Sequence, residues 1–268
     1  MYKEISNERK IYLKKIKREK ISVTLCRVFI LVFFIAFWEI GGRLGIIDNF
    51  VLSQPSRIIS VIADYKENSL LLHIGTTLFE TGVGFILGVI LGSLLAIMLW
   101  WSPFLSKVSE PYLVVLNSLP KIALGPVIII WVGAGTRAII FMALAISMIV
   151  TVLEMLNGFI NTDKELIKML QTFGANRLQV FLKVVLPYNI ETLFSSLKIN
   201  IGLSLVGVIA GEFLVSKAGL GYLIVYGGQV FKMDLVMASV IILAIAAALL
   251  YELIVIAQKI AIKCINHR

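Results

Sequence analysis

The chain has 268 residues, 59% of them hydrophobic and 15% charged, with a mean hydropathy of +0.95 and a net charge of +9. Soluble domains are about 45–50% apolar, so this composition excludes an ordinary soluble protein, and several apolar runs reach the roughly 20 residues that cross a bilayer. Lys10, Lys14, Lys15, Lys17, Arg18 and Lys20 crowd ahead of the first run, where the positive-inside bias and anionic headgroups explain them better than nucleic acid does.

Residues 1–22 read as a basic cytosolic N-terminal segment, and 23–40 as the first span. Arg27 snorkels from its inner end, while Trp38 and Glu39 mark the far interface. No small-residue cleavage pattern follows, so the run is expected to remain as an anchor. Cys26 and Cys264 both fall on the cytosolic side, where no disulfide is expected. His73 and His267 have no Cys or His neighbours, and no metal site is expected.

Residues 41–73 are mixed in character. A turn at Gln54-Pro55-Ser56 and an amphipathic stretch from Ile58 to Tyr65 read as an external segment. The second span, 78–100, carries Gly84, Gly88, Gly92 and Ala96 at four-residue intervals. Such a stripe of small residues lets another helix approach closely in lipid, and it is expected to pack against one within a dimer. The third span, 111–131, is broken by Pro120 and Pro126, with Asn117 and Lys121 at the break. Such breaks are tolerated where they pack inside protein or line a wet cavity. The fourth span covers 138–156, the fifth 187–214 and the sixth 235–257, followed by a cytosolic tail, 259–268. The fold class is therefore an all-α polytopic membrane protein, with one transmembrane domain over 23–258 and both termini in the cytosol.

The loop between the fourth and fifth spans is unlike the others. Thr162 and Glu165 have capping-box spacing, so a helix is expected from Asp163. Leu166, Ile167, Leu170 and Phe173 give it an apolar face. Gly174 suits the left-handed residue after a helix. A second short helix follows, with Leu178, Phe181 and Leu182 on one side and Arg177 and Lys183 on the other, and Pro187 suits the first turn of the next span. The plain interpretation is a helix hairpin resting on lipid. The alternative is a protrusion that docks a partner, and the weakly basic exposed face suits lipid less well.

Gly174, followed after nine residues by Val184-Val185-Leu186-Pro187, resembles the G-x9-I-x-L-P half of the EAA loop of permeases in binding-protein-dependent ABC importers. The resemblance runs from Leu52 to Lys259. It includes Leu52-Ser-Gln-Pro-Ser-Arg57, Asn117 to Pro126, Ile130 to Gly135, Gly211-Glu212 and Gly219 to Leu223, which look like the sulfonate, taurine and nitrate group. The family's Glu-Ala-Ala falls on Lys168, Met169 and Leu170, and its Ile on Val184. The resemblance implies a cytosolic coupling loop over 162–183, with Thr162, Glu165, Lys168, Phe173, Gly174, Ala175, Arg177 and Pro187 as ATPase-coupling residues. It implies an inner-membrane location, two cytosolic ATPase subunits, a second permease chain (a homodimer) and an external solute-binding protein. The chain itself is expected to be no enzyme and to bind no cofactor, with ATP and Mg on the partner ATPase. No P-loop is present in the sequence.

Polar residues within spans mark the candidate solute path. These are Lys198, Asn200, Ser204 and Glu212 on the fifth span, with Asn117 and Lys121 at the kink and Glu80 and Glu154 as further partners. Ionisable groups at membrane depth are expensive and default to a functional role; the plain alternative is pairing inside the bundle or snorkelling. The expected solute is a small anion such as a sulfonate, taurine or nitrate, the alternative being a vitamin or pyrimidine precursor. An ion-coupled secondary transporter is the competing class, but it predicts inverted repeats that the sequence lacks. A membrane-embedded enzyme would need a catalytic cluster that is also missing.

Overall fold

The computed structural model describes residues 7–48, 52–64 and 69–266. Tyr65, His267 and Arg268, and the side chains of Lys10 and Cys264, lie outside the described residues. The chain divides into two units, residues 1–63 and 64–268, and among the described residues every regular element is helical.

In the first unit, α1 (Asn7–Arg43) runs for 37 residues. The helix runs unbroken from the basic segment into the first expected span, because no Gly or Pro interrupts the chain between Asn7 and Ile40. The chain turns at Gly41, whose carbonyl accepts from the amides of Ile46 and Ile47. Trp38 and Glu39 fasten the return. Trp38 Nε1 donates to the Ser53 carbonyl at 3.2 Å, and the Ser56 amide donates to Glu39 at 3.1 Å in the first turn of α2 (Pro55–Ala63). Arg43 Nε donates to the other Glu39 oxygen at 2.7 Å. Within its own unit the apolar window of α1 is exposed, as suits lipid or another subunit.

The second unit is built on α3 (Leu70–Trp101), α6 (Thr136–Ile160), α9 (Ile190–Val215) and α11 (Met233–Asn266), all long and apolar enough to span a bilayer. α3 starts eight residues before the expected start of its span. Its early polar residues do not end the helix, because Thr76 Oγ1 donates to the Leu72 carbonyl and Thr77 finds partners on other helices. With α1, five described helices qualify as spans. A sixth candidate is a bent pair, α4 (Pro103–Ser118) and an arm comprising a 3₁₀ turn (Lys121–Leu124) and α5 (Gly125–Val132), with 84° between the arms.

Only one of the prolines near this bend breaks the helix. Pro111 lies inside α4 and Pro126 in the first turn of α5, where its missing N–H costs nothing. The break falls at Leu119-Pro120, because the residue before a proline is driven out of the α region, and Leu119 has ψ 138°. Lys121 Nζ closes the exposed end of α4 by donating to the carbonyl and to Oδ1 of Asn117, at 3.0 and 3.3 Å, a favourable place for a cation at a helix C-terminus.

α6 is the central helix, enclosed on two sides. A β-carbon added to Gly84, Gly88 or Gly92 of α3 would lie 2.6–2.7 Å from Ala143, Ser147 or Thr151 of α6. From the other side, Gly207 and Gly211 of α9 press on Ala143 and Ile139, where an added β-carbon would lie 2.9 and 3.1 Å from their α-carbons. The glycine stripe thus packs inside one chain. Asn200 of α9 adds a polar tie, donating to Thr151 Oγ1 on α6 and to Ser196 Oγ, both at 3.0 Å. Between α9 and α11 lies α10 (Leu220–Gln229), a helix that includes Gly221, Gly227 and Gly228.

Candidate coupling surface and solute path

Between α6 and α9 the chain forms α7 (Lys164–Thr172), α8 (Arg177–Val180), a π-turn (Phe181–Val185) and a last short turn (Leu186–Tyr188). The start of α7 differs from the expected capping box. Asp163 is the N-cap, its Oδ1 accepting from the Glu165 amide at 2.8 Å. A carboxylate caps better here than a hydroxyl with other partners. Thr162 faces inward, 1% exposed, donating to the Gly158 carbonyl and accepting from Asn189 Nδ2 at 2.8 Å. The true capping box opens α8, where Asn176 and Gln179 exchange bonds at 2.8 and 2.9 Å.

Gly174 has φ +78° and ends α7 in a Schellman motif. The Gly174 amide donates to the Gln171 carbonyl and the Ala175 amide to that of Leu170. This turn throws Phe173 outward, 82% exposed. The apolar residues of α7 divide between two sides instead of forming one face. Ile167, Leu170 and Ala175 pack on a core of Phe159, Val180, Phe181 and Val185, whereas Leu166, Met169 and Phe173 stay exposed with Glu165 and Lys168. Across α8 and the π-turn, Phe181 is buried while Leu178 and Leu182 are exposed, so the expected grouping of these three does not hold. Pro187 lies in the short turn before α9 and not in its first turn, because the helix is interrupted at Asn189, with φ −96° and ψ 12°. Arg177 sets its guanidinium 5.5 Å over the Trp100 ring. A groove of about 720 Å³ opens beside the segment, lined by Trp100, Lys107, Glu110, Asn157, Gln171 and Arg177 among others.

The four polar residues of α9 do not gather on one path. Asn200, Ser204 and Glu212 are 0–1% exposed and face the chain's own interior. Lys198 is half-buried and lines a separate cavity of about 260 Å³ with Ile201, Gly202, Ala247, Leu250 and Tyr251, between α9 and α11. It has no ion-pair partner among the described residues. Asn117 and Lys121 are engaged with each other at the kink.

Glu212 belongs to a cluster that the sequence did not foreshadow. Three successive amides where α10 begins are taken up by side chains from other helices. Gly219 N–H donates to His73 Nδ1 at 2.9 Å, Leu220 N–H to Thr77 Oγ1 at 2.8 Å, and Gly221 N–H to Glu212 Oε2 at 2.5 Å. The Thr77 hydroxyl in turn donates to Glu212 Oε1 at 2.6 Å. The cluster satisfies the orphan donors of a helix start and sets a carboxylate at its positive end. Gly219, with φ +116°, leaves the room, since a β-carbon there would overlap the Glu212 carboxylate. The available signal was an acid in the last turn of a span followed closely by Gly-Leu-Gly. No group of three metal-ligating side chains occurs among the described residues.

Comparison with known proteins agrees with this architecture. The family "Binding-protein-dependent transport system inner membrane component" matches residues 88–265. A "Probable ABC transporter permease protein" of Haemophilus influenzae is 28% identical over 214 residues, covering 80% of this chain and 87% of the relative. The formylaminopyrimidine transport permease ThiX of Halalkalibacterium halodurans is 26% identical, covering 69% and 74%. The putative aliphatic sulfonates transport permease SsuC of Bacillus subtilis is 25% identical, covering 80% and 78%. Among solved structures, the inward-facing MetNI methionine ABC transporter shares the fold, with a TM-score of 0.63 at 19% identity, covering 74% of this chain and 98% of that one. The chain therefore belongs to the binding-protein-dependent inner-membrane transport components, as a permease subunit of an ABC importer.

Proposed function

We propose that this chain pairs with a second copy of itself to form the pathway for a small anion, delivered by an external binding protein and driven by two cytosolic ATPase subunits. Both termini and the segment from Lys164 to Tyr188 then face the cytosol. One observation carries the ATPase assignment: α7 and α8 are anchored from behind, yet they hold Leu166, Met169 and Phe173 out from the chain. Large apolar side chains presented on a rigid turn are what a groove in a partner would receive. Closure of the two ATPases would draw the two segments together and rock the spans between two states.

Support for an anion comes from Lys198, a cation about 12 Å into α9 at 1.5 Å per residue, with no carboxylate paired to it among the described residues. A relative named for aliphatic sulfonates agrees with this. The relative named for formylaminopyrimidine favours a second reading, a neutral pyrimidine precursor. Glu212, Asn200 and Ser204 are not assigned to solute contact, because their side chains face other helices.

Two measurements test the proposal. ATPase co-purification should be strong with the wild-type chain and weak with Gly174→Val, since a β-branched residue at φ +78° disrupts the turn that presents Phe173. Uptake in reconstituted vesicles should be competed by an alkyl sulfonate; competition by a pyrimidine alone would overturn the anion assignment.

A further inference from the structure

Phe181 joins the coupling segment to two spans. Its ring is 5% exposed and lies 5.1 Å from Trp100 and 6.4 Å from Trp101, at the end of α3. It meets Phe159, in the last turn of α6, edge-on at 5.5 Å. Arg177, one turn earlier, covers the Trp100 ring and donates to the Trp100 carbonyl at 3.3 Å. Neither Trp100 nor Trp101 is near this segment in sequence, so the contact with α3 exists only through packing. Edge-on and tilted ring pairs at these distances are attractive beyond their buried area.

The link onward to α9 is of another kind. The backbone helix is interrupted at Asn189, and the Asn189 side chain bridges back to Thr162 Oγ1 and the Val185 carbonyl, each at 2.8 Å. A displacement of the segment therefore meets α3 and α6 through close-packed rings, while it meets α9 through an interrupted helix and the aliphatic contact of Leu193. α3 and α6 are themselves interlocked along the glycine stripe, so a push on either carries both. Packed interiors move between discrete arrangements and do not deform continuously.

We infer that Phe181 is a positioning residue that carries the movement of the coupling segment to α3 and α6 through Trp100 and Phe159. The inference rests on the proposed ATPase docking. Spin labels test it in the assembled complex, one replacing Met169 on the exposed side of α7 and one replacing Met98 near the end of α3, both well exposed. The probe is a non-hydrolysable ATP analogue with Mg, which needs no knowledge of the solute. In the wild type both labels should respond. In Phe181→Leu, which keeps the core filled but removes the ring, the Met169 response should persist. The Met98 population shift should fall about tenfold, within the 5–150-fold that coupling between sites usually spans. Trp100→Leu should give the same loss, and the double variant no further loss. A wild-type Met98 response in Phe181→Leu overturns the inference. So does loss of ATPase co-purification in Phe181→Leu, which would place the ring in docking. Absence of ATPase binding by the wild-type chain overturns the docking reading and this inference with it.

Discussion

Replacing Gly88 tests the central packing of the bundle. An added β-carbon would lie 2.7 Å from Ser147 Cβ, 2.8 Å from Ser147 Oγ and 3.2 Å from the Leu144 carbonyl. Carbon atoms settle at roughly 3.5–4.0 Å, so α3 and α6 must part by close to 1 Å at this level. Gly84 and Gly92 fix the same spacing one turn away on either side, so the strain has nowhere to go. Overpacking of this kind costs about 1–3 kcal/mol for Gly88→Ala; Gly88→Leu adds three more carbons and should prevent close docking altogether. At roughly 2–4 °C per kcal/mol for a chain of this size, Gly88→Ala should lower the Tm of the purified protein measurably. Gly82→Ala, on the same helix with no atom within 4 Å of the new carbon, is the matched control and should be neutral or stabilising by up to about 1 kcal/mol. Ser147→Gly should recover much of the loss in Gly88→Ala. If both Gly88 variants melt like the wild type, or if Ser147→Gly gives no rescue, the interlock is not what holds these helices together.

Lys198→Ala should reduce uptake at limiting solute while the complex still assembles; unchanged uptake removes Lys198 from the path. Glu212→Gln keeps the shape but turns one of the two accepting oxygens into a donor, which weakens the tie to Thr77 or to Gly221 at a cost of about 0.5–1.5 kcal/mol. It should increase proteolysis or hydrogen exchange across α10 without affecting ATPase docking. Gly219→Ala should have a larger effect in the same assay, because both φ +116° and the Glu212 carboxylate exclude a β-carbon. Lys168→Glu probes the departure from the family's acidic position. If the ATPase surface has re-matched to a lysine, co-purification should weaken, and stronger binding would show that it has not.

The spans were legible because apolar length is a local property of the sequence, and the glycine stripe because four-residue spacing defines one helix face whatever its partner. Which helix receives the stripe was not legible. Ala143, Ser147 and Thr151 are ordinary small residues that gain meaning only opposite the glycines. The T-x-x-E spacing misled because Asp163 stands between Thr162 and α7, and an inward Asn189, 27 residues away, takes the threonine hydroxyl. The polar residues of α9 stand out in the sequence as costly in a membrane. Sequence could not say whether each met a solute or another helix, since Thr77 and Asn200 find their partners 135 and 49 residues away.

Ala143 lies where three helices converge. The β-carbon that Gly84 lacks would fall 2.6 Å from its methyl, and the one that Gly207 lacks would fall 2.9 Å from its α-carbon. The Ala143 methyl fills the space that Gly84 leaves, whereas Gly207 meets the Ala143 backbone, which no substitution at 143 can thin. Enlargement at Gly84 therefore demands shrinkage at Ala143, while Gly207 has no such exchange open to it. Across diverged versions of this chain, positions 84 and 143 are bound to drift together, so Gly84→Ala should be tolerated mainly in company with Ala143→Gly.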